Sequence, residues 1–85
     1  MHDFYLAKEL LEKVLKVANK NKLKRIKRVS VELGTMEEHG EDISASNLKF
    51  NFKMLAKDTP ASQAKLEIIK IKKPNFWGLK EIEGR

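Results

Sequence analysis

The stretch from Phe4 to Lys20 constrains the fold more than any other. Phe4, Ala7, Leu11, Val14, Leu15 and Ala18 fall on one side of a helix with 3.6 residues per turn, and Leu6, Leu10 and Val17 widen that apolar stripe. On the other side, Glu9–Lys13 and Glu12–Lys16 are four-residue pairs in the favourable order. Asp3 fits an N-cap, and Asn19-Lys20-Asn21-Lys22 gives a cationic, Asn-containing end, so the pattern predicts a helix over residues 4–20. A stripe this wide needs more than one neighbour. It calls for a sheet and a second helix together.

The sheet follows directly. From Ile26 to Leu33, Val29, Val31 and Leu33 alternate with Arg28, Ser30 and Glu32, the pattern of a strand with one covered and one wet face, and Gly34 is expected to stop it. Residues 44–57 fit two patterns. Leu48, Phe50, Phe52 and Met54 alternate as in a strand, yet Leu48, Phe52, Leu55 and Ala56 also share a helical face. Ser44 is a good N-cap and Asp58-Thr59-Pro60 a clear stop, so we read a helix, with Phe50 and Met54 at its edges. Lys65 to Lys73 predicts a second strand through Leu66, Ile68, Ile69 and Ile71, where the adjacent Ile68-Ile69 suggests a bulge or burial on both faces. Pro74-Asn75 reads as a tight turn, and Phe76 to Ile82 as a short returning hairpin strand. The expectation is an α+β domain of order α-β-α-β-β, two helices on one face of a three-stranded sheet, occupying residues 1–85 as a single unit.

With 85 residues, folding buries only about 60% of the unfolded chain's surface. A hydrophobic content of 41% makes a small two-layer core feasible without staples. The chain has no Cys, which removes disulfides, thiolate zinc sites and cysteine nucleophiles. No apolar run reaches the ~20 residues of a bilayer span and no signal peptide is evident, so a cytoplasmic location is expected. The net charge of +6 comes from 15 Lys and 3 Arg, concentrated in Lys20-Lys22-Lys24-Arg25-Lys27-Arg28 and in Lys65-Lys70-Lys72-Lys73. Neither cluster holds an aromatic residue, and Arg forks are scarce, so nucleic acid is not the expected partner. One internal His and no phosphate-cradling Gly loop leave little material for catalysis, and we read a non-enzyme.

The chemistry sits at the chain start. In Met1-His2-Asp3, the Met1 amine, the His2 amide nitrogen and a His2 ring nitrogen close adjacent small chelate rings around one ion, with the Asp3 amide or carboxylate in reach of a fourth position. A planar, nitrogen-rich set suits Ni(II) or Cu(II), whereas zinc prefers separate side chains in a tetrahedron. A bulky His at position 2 normally prevents removal of the initiator Met, which preserves the amine. The alternative is a frayed terminal His2 with Asp3 serving only as a helix cap. A second acidic stretch, Thr35-Met36-Glu37-Glu38-His39-Gly40-Glu41-Asp42, places His39 among four carboxylates. Its residues show no fixed ligand spacing, and we read it as a solvated loop.

These stretches together resemble the HypA/HybF nickel metallochaperones. Members of that family begin Met-His-Glu before an apolar helix, continue into a strand ending near Leu-Gly, and place a second helix after a Ser cap. The matching segments here are Met1-His2-Asp3-Phe4-Tyr5-Leu6-Ala7, Val29-Ser30-Val31-Glu32-Leu33-Gly34, Ile43-Ser44 through Leu48-Lys49-Phe50, and Ala64-Lys65-Leu66-Glu67-Ile68. The resemblance covers residues 1–72 and favours helix over residues 44–57. It implies a carrier whose nickel is held at Met1, His2 and Asp3 through the imidazole and main-chain nitrogens. It further implies transfer to a nickel enzyme, typically the large subunit of a [NiFe]-hydrogenase, with a nucleotide-hydrolysing partner.

Two departures stand out. Asp3 replaces the usual Glu, and a zinc-ribbon domain with two Cys pairs is replaced by Lys72-Lys73-Pro74-Asn75, so zinc is not expected. A natural minimal relative and an engineered deletion both fit this. Two other function classes remain open. The first is a metal-free interaction module using the Phe76-Trp77 edge, which would bind its partner equally well after His2→Ala. The second is a small basic nucleic-acid binder, which would show steep salt dependence.

Overall fold

The computed structural model describes residues 3–35, 37–38 and 41–85, with residues 37–38 and 41–42 described by their backbone. The elements run α1 (Asp3–Lys20), β1 (Ile26–Thr35), β2 (Glu37–Glu38), β3 (Glu41–Asp42), α2 (Ala45–Leu55), β4 (Lys65–Pro74) and β5 (Trp77–Gly84). The expected helix–strand–helix–strand–strand order holds, with a small β2–β3 antiparallel ribbon added inside the acidic stretch.

Helix α1 buries Leu6, Ala7, Leu10, Leu11, Val14 and Ala18. Phe4 was expected in the stripe but is 45% exposed; it lies at the stripe's margin, on the flank shared with half-buried Leu15, and Leu6 takes its place in the core. The helix ends in a Schellman turn. The Leu23 N–H donates to the Ala18 carbonyl at 2.8 Å and the Lys22 N–H to the Asn19 carbonyl at 3.1 Å. Lys22 takes the left-handed conformation this requires, φ 57°. Helix α2 starts as the Ser44 cap predicts: the Ser44 Oγ accepts from the Asn47 N–H at 3.0 Å. Leu48 and Phe52 are buried, and Phe50 and Met54 point outward, 63% and 49% exposed. The helical reading of this ambiguous stretch is therefore correct, because the pair Leu48/Phe52 reaches α1 and the sheet while the alternate residues stay wet.

The sheet order is β4-β1-β5, with β1 parallel to β4 and antiparallel to β5. The expected β4–β5 hairpin is not formed. The two strands flank β1 on opposite edges, so the link between them crosses the C-terminal end of β1. Gly34 explains how. The strand passes through Gly34 to Thr35, beyond its expected stop, and the crossing chain lies on the glycine. The Gly34 N–H donates to the Phe76 carbonyl at 2.8 Å, and the Asn75 N–H donates to the Thr35 carbonyl at 2.8 Å. A Cβ at Gly34 would fall on the Lys73 carbonyl oxygen. Asn75, at φ 51°, turns the chain back.

Register explains the uneven spacing of apolar residues in β5. Val29 pairs with Ile82, Val31 with Leu79 and Leu33 with Trp77, so the apolar residues of β5 are spaced two and then three apart. A bulge between Ser30 and Val31 absorbs the extra residue, Lys80, and returns Ile82 to the helix-facing side. On β4, Leu66 and Ile68 stand beside Val29 and Val31 in the same layer. Ile69 turns to the open face at 37% exposure, so the adjacent isoleucines obey simple alternation and the irregularity falls nearer the crossing. The core lies between this inner face and the two helices, with Phe52, Leu6, Leu10, Ile26 and Leu33 its largest fully buried members.

Candidate functional site

Met1, His2 and His39 lie outside the described residues, so the structure bears on the chain-start site through Asp3 and the first turns of α1. Asp3 is half-buried and is the first residue of α1, one position further into the helix than a cap. Its Oδ1 accepts the Phe4 N–H at 2.8 Å, which places carboxylate charge at the positive helix end. Behind it, Leu6, Ala7 and Leu10 are at most 1% exposed and tie the first turn to the core. Phe4 and Tyr5 stand outward with rings 5.7 Å apart at 79°, an edge-to-face pair flanking the helix start. The Asp3 main-chain N–H has no carbonyl four residues earlier to bind, because no such residue precedes it in the helix. Removing its proton would break no helical hydrogen bond.

Elsewhere, among the described residues, no group of three His, Cys, Asp or Glu side chains is placed to hold a metal ion. The acidic stretch supplies a two-pair backbone ribbon, Glu37 with Asp42 and Glu38 with Glu41. That geometry alone does not assemble a ligand set.

The two basic clusters separate in space. In the first, Lys20, Lys22, Lys24, Arg25 and Lys27 are exposed, but Arg28 is committed to acids on the open sheet face. Its guanidinium meets Glu67 at 3.3 Å, Glu81 at 3.1 Å and Glu83 at 3.1 Å. Glu67, the largest influence, and then Glu83 raise the Arg28 pKa above its ordinary value; desolvation opposes them slightly and Glu81 adds a smaller push. The register brings these residues together, since Arg28 pairs with Glu83 and stands next to Glu67 and Glu81 on neighbouring strands. Nothing in their linear spacing signals it.

Phe76 and Trp77 are not an exposed platform. Trp77 is half-buried against the core with the Lys13 Nζ 5.6 Å from its ring centroid, and Phe76 lies under the Lys73 Nζ at 4.3 Å. A groove that sequence reasoning did not find runs between α2 and the start of β4. Its volume is about 480 Å³ and its lining includes Lys49, Lys53, Ser62, Gln63 and Lys65 over Leu66.

Comparison with known proteins places this scaffold. The fold matches the solution structure of the Ni metallochaperone HypA from Helicobacter pylori with a TM-score of 0.78 at 18% identity, over 99% of this chain and 97% of that one. The family described as "Hydrogenase/urease nickel incorporation, metallochaperone, hypA" matches residues 1–76. The chain belongs to the HypA family.

Similar curated proteins include the hydrogenase maturation factor HypA of Legionella pneumophila, 30% identical over 71 residues, covering 84% of this chain and 59% of that protein. Another is the hydrogenase maturation factor HypA of Thermococcus kodakarensis, 32% identical over 92 residues, covering 100% of this chain and 63% of that protein. The chain thus spans about three-fifths of the length of these relatives. Both relatives are named as hydrogenase maturation factors. Among the described residues, no helix is long and apolar enough to cross a membrane.

Proposed function

We propose that this chain is a nickel carrier, a single nickel-binding domain over residues 1–85, that delivers Ni(II) for maturation of a nickel enzyme such as a [NiFe]-hydrogenase. The ligands are the Met1 amine, the His2 amide nitrogen and imidazole, and the Asp3 amide nitrogen. Its partners would be the large subunit of the recipient enzyme and a nucleotide-hydrolysing maturation protein. The observation that carries the reading is the family match, which begins at Met1 and takes in the Met-His-acid start, whose Asp3 opens α1.

Three physical points support it. Four nitrogens in two adjoining residues and an amine favour a planar d⁸ ion over tetrahedral zinc, and the chain has no Cys to offer zinc. The Asp3 side chain is occupied with the Phe4 N–H, so shortening Glu to Asp leaves the main-chain ligand untouched. The third point is electrostatic. A helix N-terminus repels a dication, but deprotonating the His2 and Asp3 amides adds two negative charges to the ligand set and cancels that repulsion.

Binding should therefore release protons and strengthen as pH rises above neutral. Calorimetric nickel titration in two buffers of different ionisation enthalpy tests this: the apparent enthalpies should differ in proportion to the protons released. Identical enthalpies in both buffers would rule out amide ligation. His2→Ala should abolish binding while the circular dichroism spectrum is unchanged.

A further inference from the structure

The groove between α2 and the start of β4 is independent of the chain-start site. Lys49 and Lys53 stand one turn apart on α2 and are exposed, while Lys65 opens β4 beside Arg28 on the open face of the sheet. The Ser62 hydroxyl and Gln63 amide add hydrogen-bonding groups between them, and Leu66 gives an apolar floor. Among the described residues, no carboxylate lines the groove. The nearest one on β4, Glu67, belongs to the opposite face, where it meets Arg28. Beside the groove, β4 is an edge strand: β1 pairs with one side, and among the described residues no strand pairs with the other. Unpaired strand edges present main-chain donors and acceptors to any extended chain laid against them.

We infer that this edge and groove form a docking site for an extended acidic segment of a partner protein, which adds as a strand to β4 and sets its carboxylates against Lys49 and Lys53. The charge selects the occupant. Two lysines with no acid beside them among the described residues lining the groove favour carboxylates, and the β4 edge favours a polypeptide backbone. A nucleic acid finds no stacking ring here, because Phe52 is only 2% exposed and there is no Arg fork among the lining residues. A lone phosphate would leave most of the ~480 Å³ unfilled.

The test uses the whole chain and a blocked peptide of alternating Glu and Val, titrated by NMR. Amide shifts should concentrate at residues 62–68, and the double variant Lys49→Glu/Lys53→Glu should weaken binding about tenfold or more, as two reversed charges imply. The charge-matched control Lys16→Glu/Lys20→Glu, on α1, should change affinity less than about twofold. N-methylation of alternate peptide nitrogens should weaken binding in one phase of alternation and not in the other, because a strand edge bonds every second residue. Equal losses for both double variants, shifts elsewhere on the surface, insensitivity to N-methylation in either phase, or tighter binding of pyrophosphate or single-stranded RNA than of the peptide would each overturn the inference.

Discussion

Replacing Gly34 with Ala should be among the most damaging single-methyl additions this chain can suffer. The backbone of Gly34 is ordinary extended strand, so the requirement is space rather than conformation. An added Cβ would overlap the Lys73 carbonyl oxygen, lie 2.9 Å from the Lys73 carbonyl carbon and sit 3.2 Å from the Phe76 carbonyl oxygen. All three are backbone atoms, and no side-chain rotation relieves them. The crossing segment must lift, which strains or breaks the Gly34–Phe76 and Asn75–Thr35 hydrogen bonds. Overpacking of this kind costs roughly 1–3 kcal/mol, and each lost hydrogen bond adds about 1 kcal/mol. The total is about 2–5 kcal/mol, a large share of the roughly 4–13 kcal/mol expected for a domain this size.

At about 4–8 °C per kcal/mol, the melting temperature should fall by at least about 8 °C in thermal circular dichroism. Gly78→Ala is the internal control. The nearest atoms to its Cβ would be those of the Phe76 ring, 3.0 Å away at Cζ, and that ring can turn aside, so the loss should stay under about 1 kcal/mol. A Gly34→Ala protein within about 0.5 kcal/mol of the parent by urea denaturation would refute the claim that the β4–β5 link lies on β1 at this residue.

Other perturbations separate the local devices. Ser44→Ala removes the acceptor for the Asn47 N–H and should cost about 1 kcal/mol in urea denaturation, with Ser44→Asp close to neutral. Lys22→Gly relieves a side chain held at φ 57° and should raise stability by up to about 1 kcal/mol. Arg28→Met leaves Glu67, Glu81 and Glu83 facing one another and should lower the melting temperature at low ionic strength, with the deficit shrinking in about 1 M NaCl. Salt rather than alkali is the lever there. The raised Arg28 pKa keeps its contribution in full below the ordinary arginine value and loses it only above the folded one, beyond any usable pH.

Much of this fold could be read from the chain. The α1 stripe, the β1 alternation and the Ser44 cap each encode their element locally, and the structure has all three. The features that could not be read depend on residues far apart in sequence. Trp77, Leu79 and Ile82 of β5 are not evenly spaced, and only the bulge opposite Ser30 and Val31 makes them one row. The crossing over Gly34 looked like a hairpin because a tight turn says where a chain reverses, not which strand it then joins. Arg28 read as part of a basic run, yet strand register gives it three carboxylates from β4 and β5. The chain-start chelate we propose is written in three consecutive residues and needs no fold to assemble it; of the three, the structure describes Asp3 alone. The groove at β4 was not legible, since it joins α2 to a strand more than a turn of chain away.

Whether nickel is held by the chain's own first nitrogens is decided by one titration. Ni(II) is added to protein beginning at Met1 and to protein carrying one extra residue ahead of Met1, with absorption followed for the band of planar Ni(II). The band should saturate at one equivalent in the first protein and be absent from the second, with identical far-ultraviolet circular dichroism. An undiminished planar band in the extended protein would show that the metal is bound elsewhere.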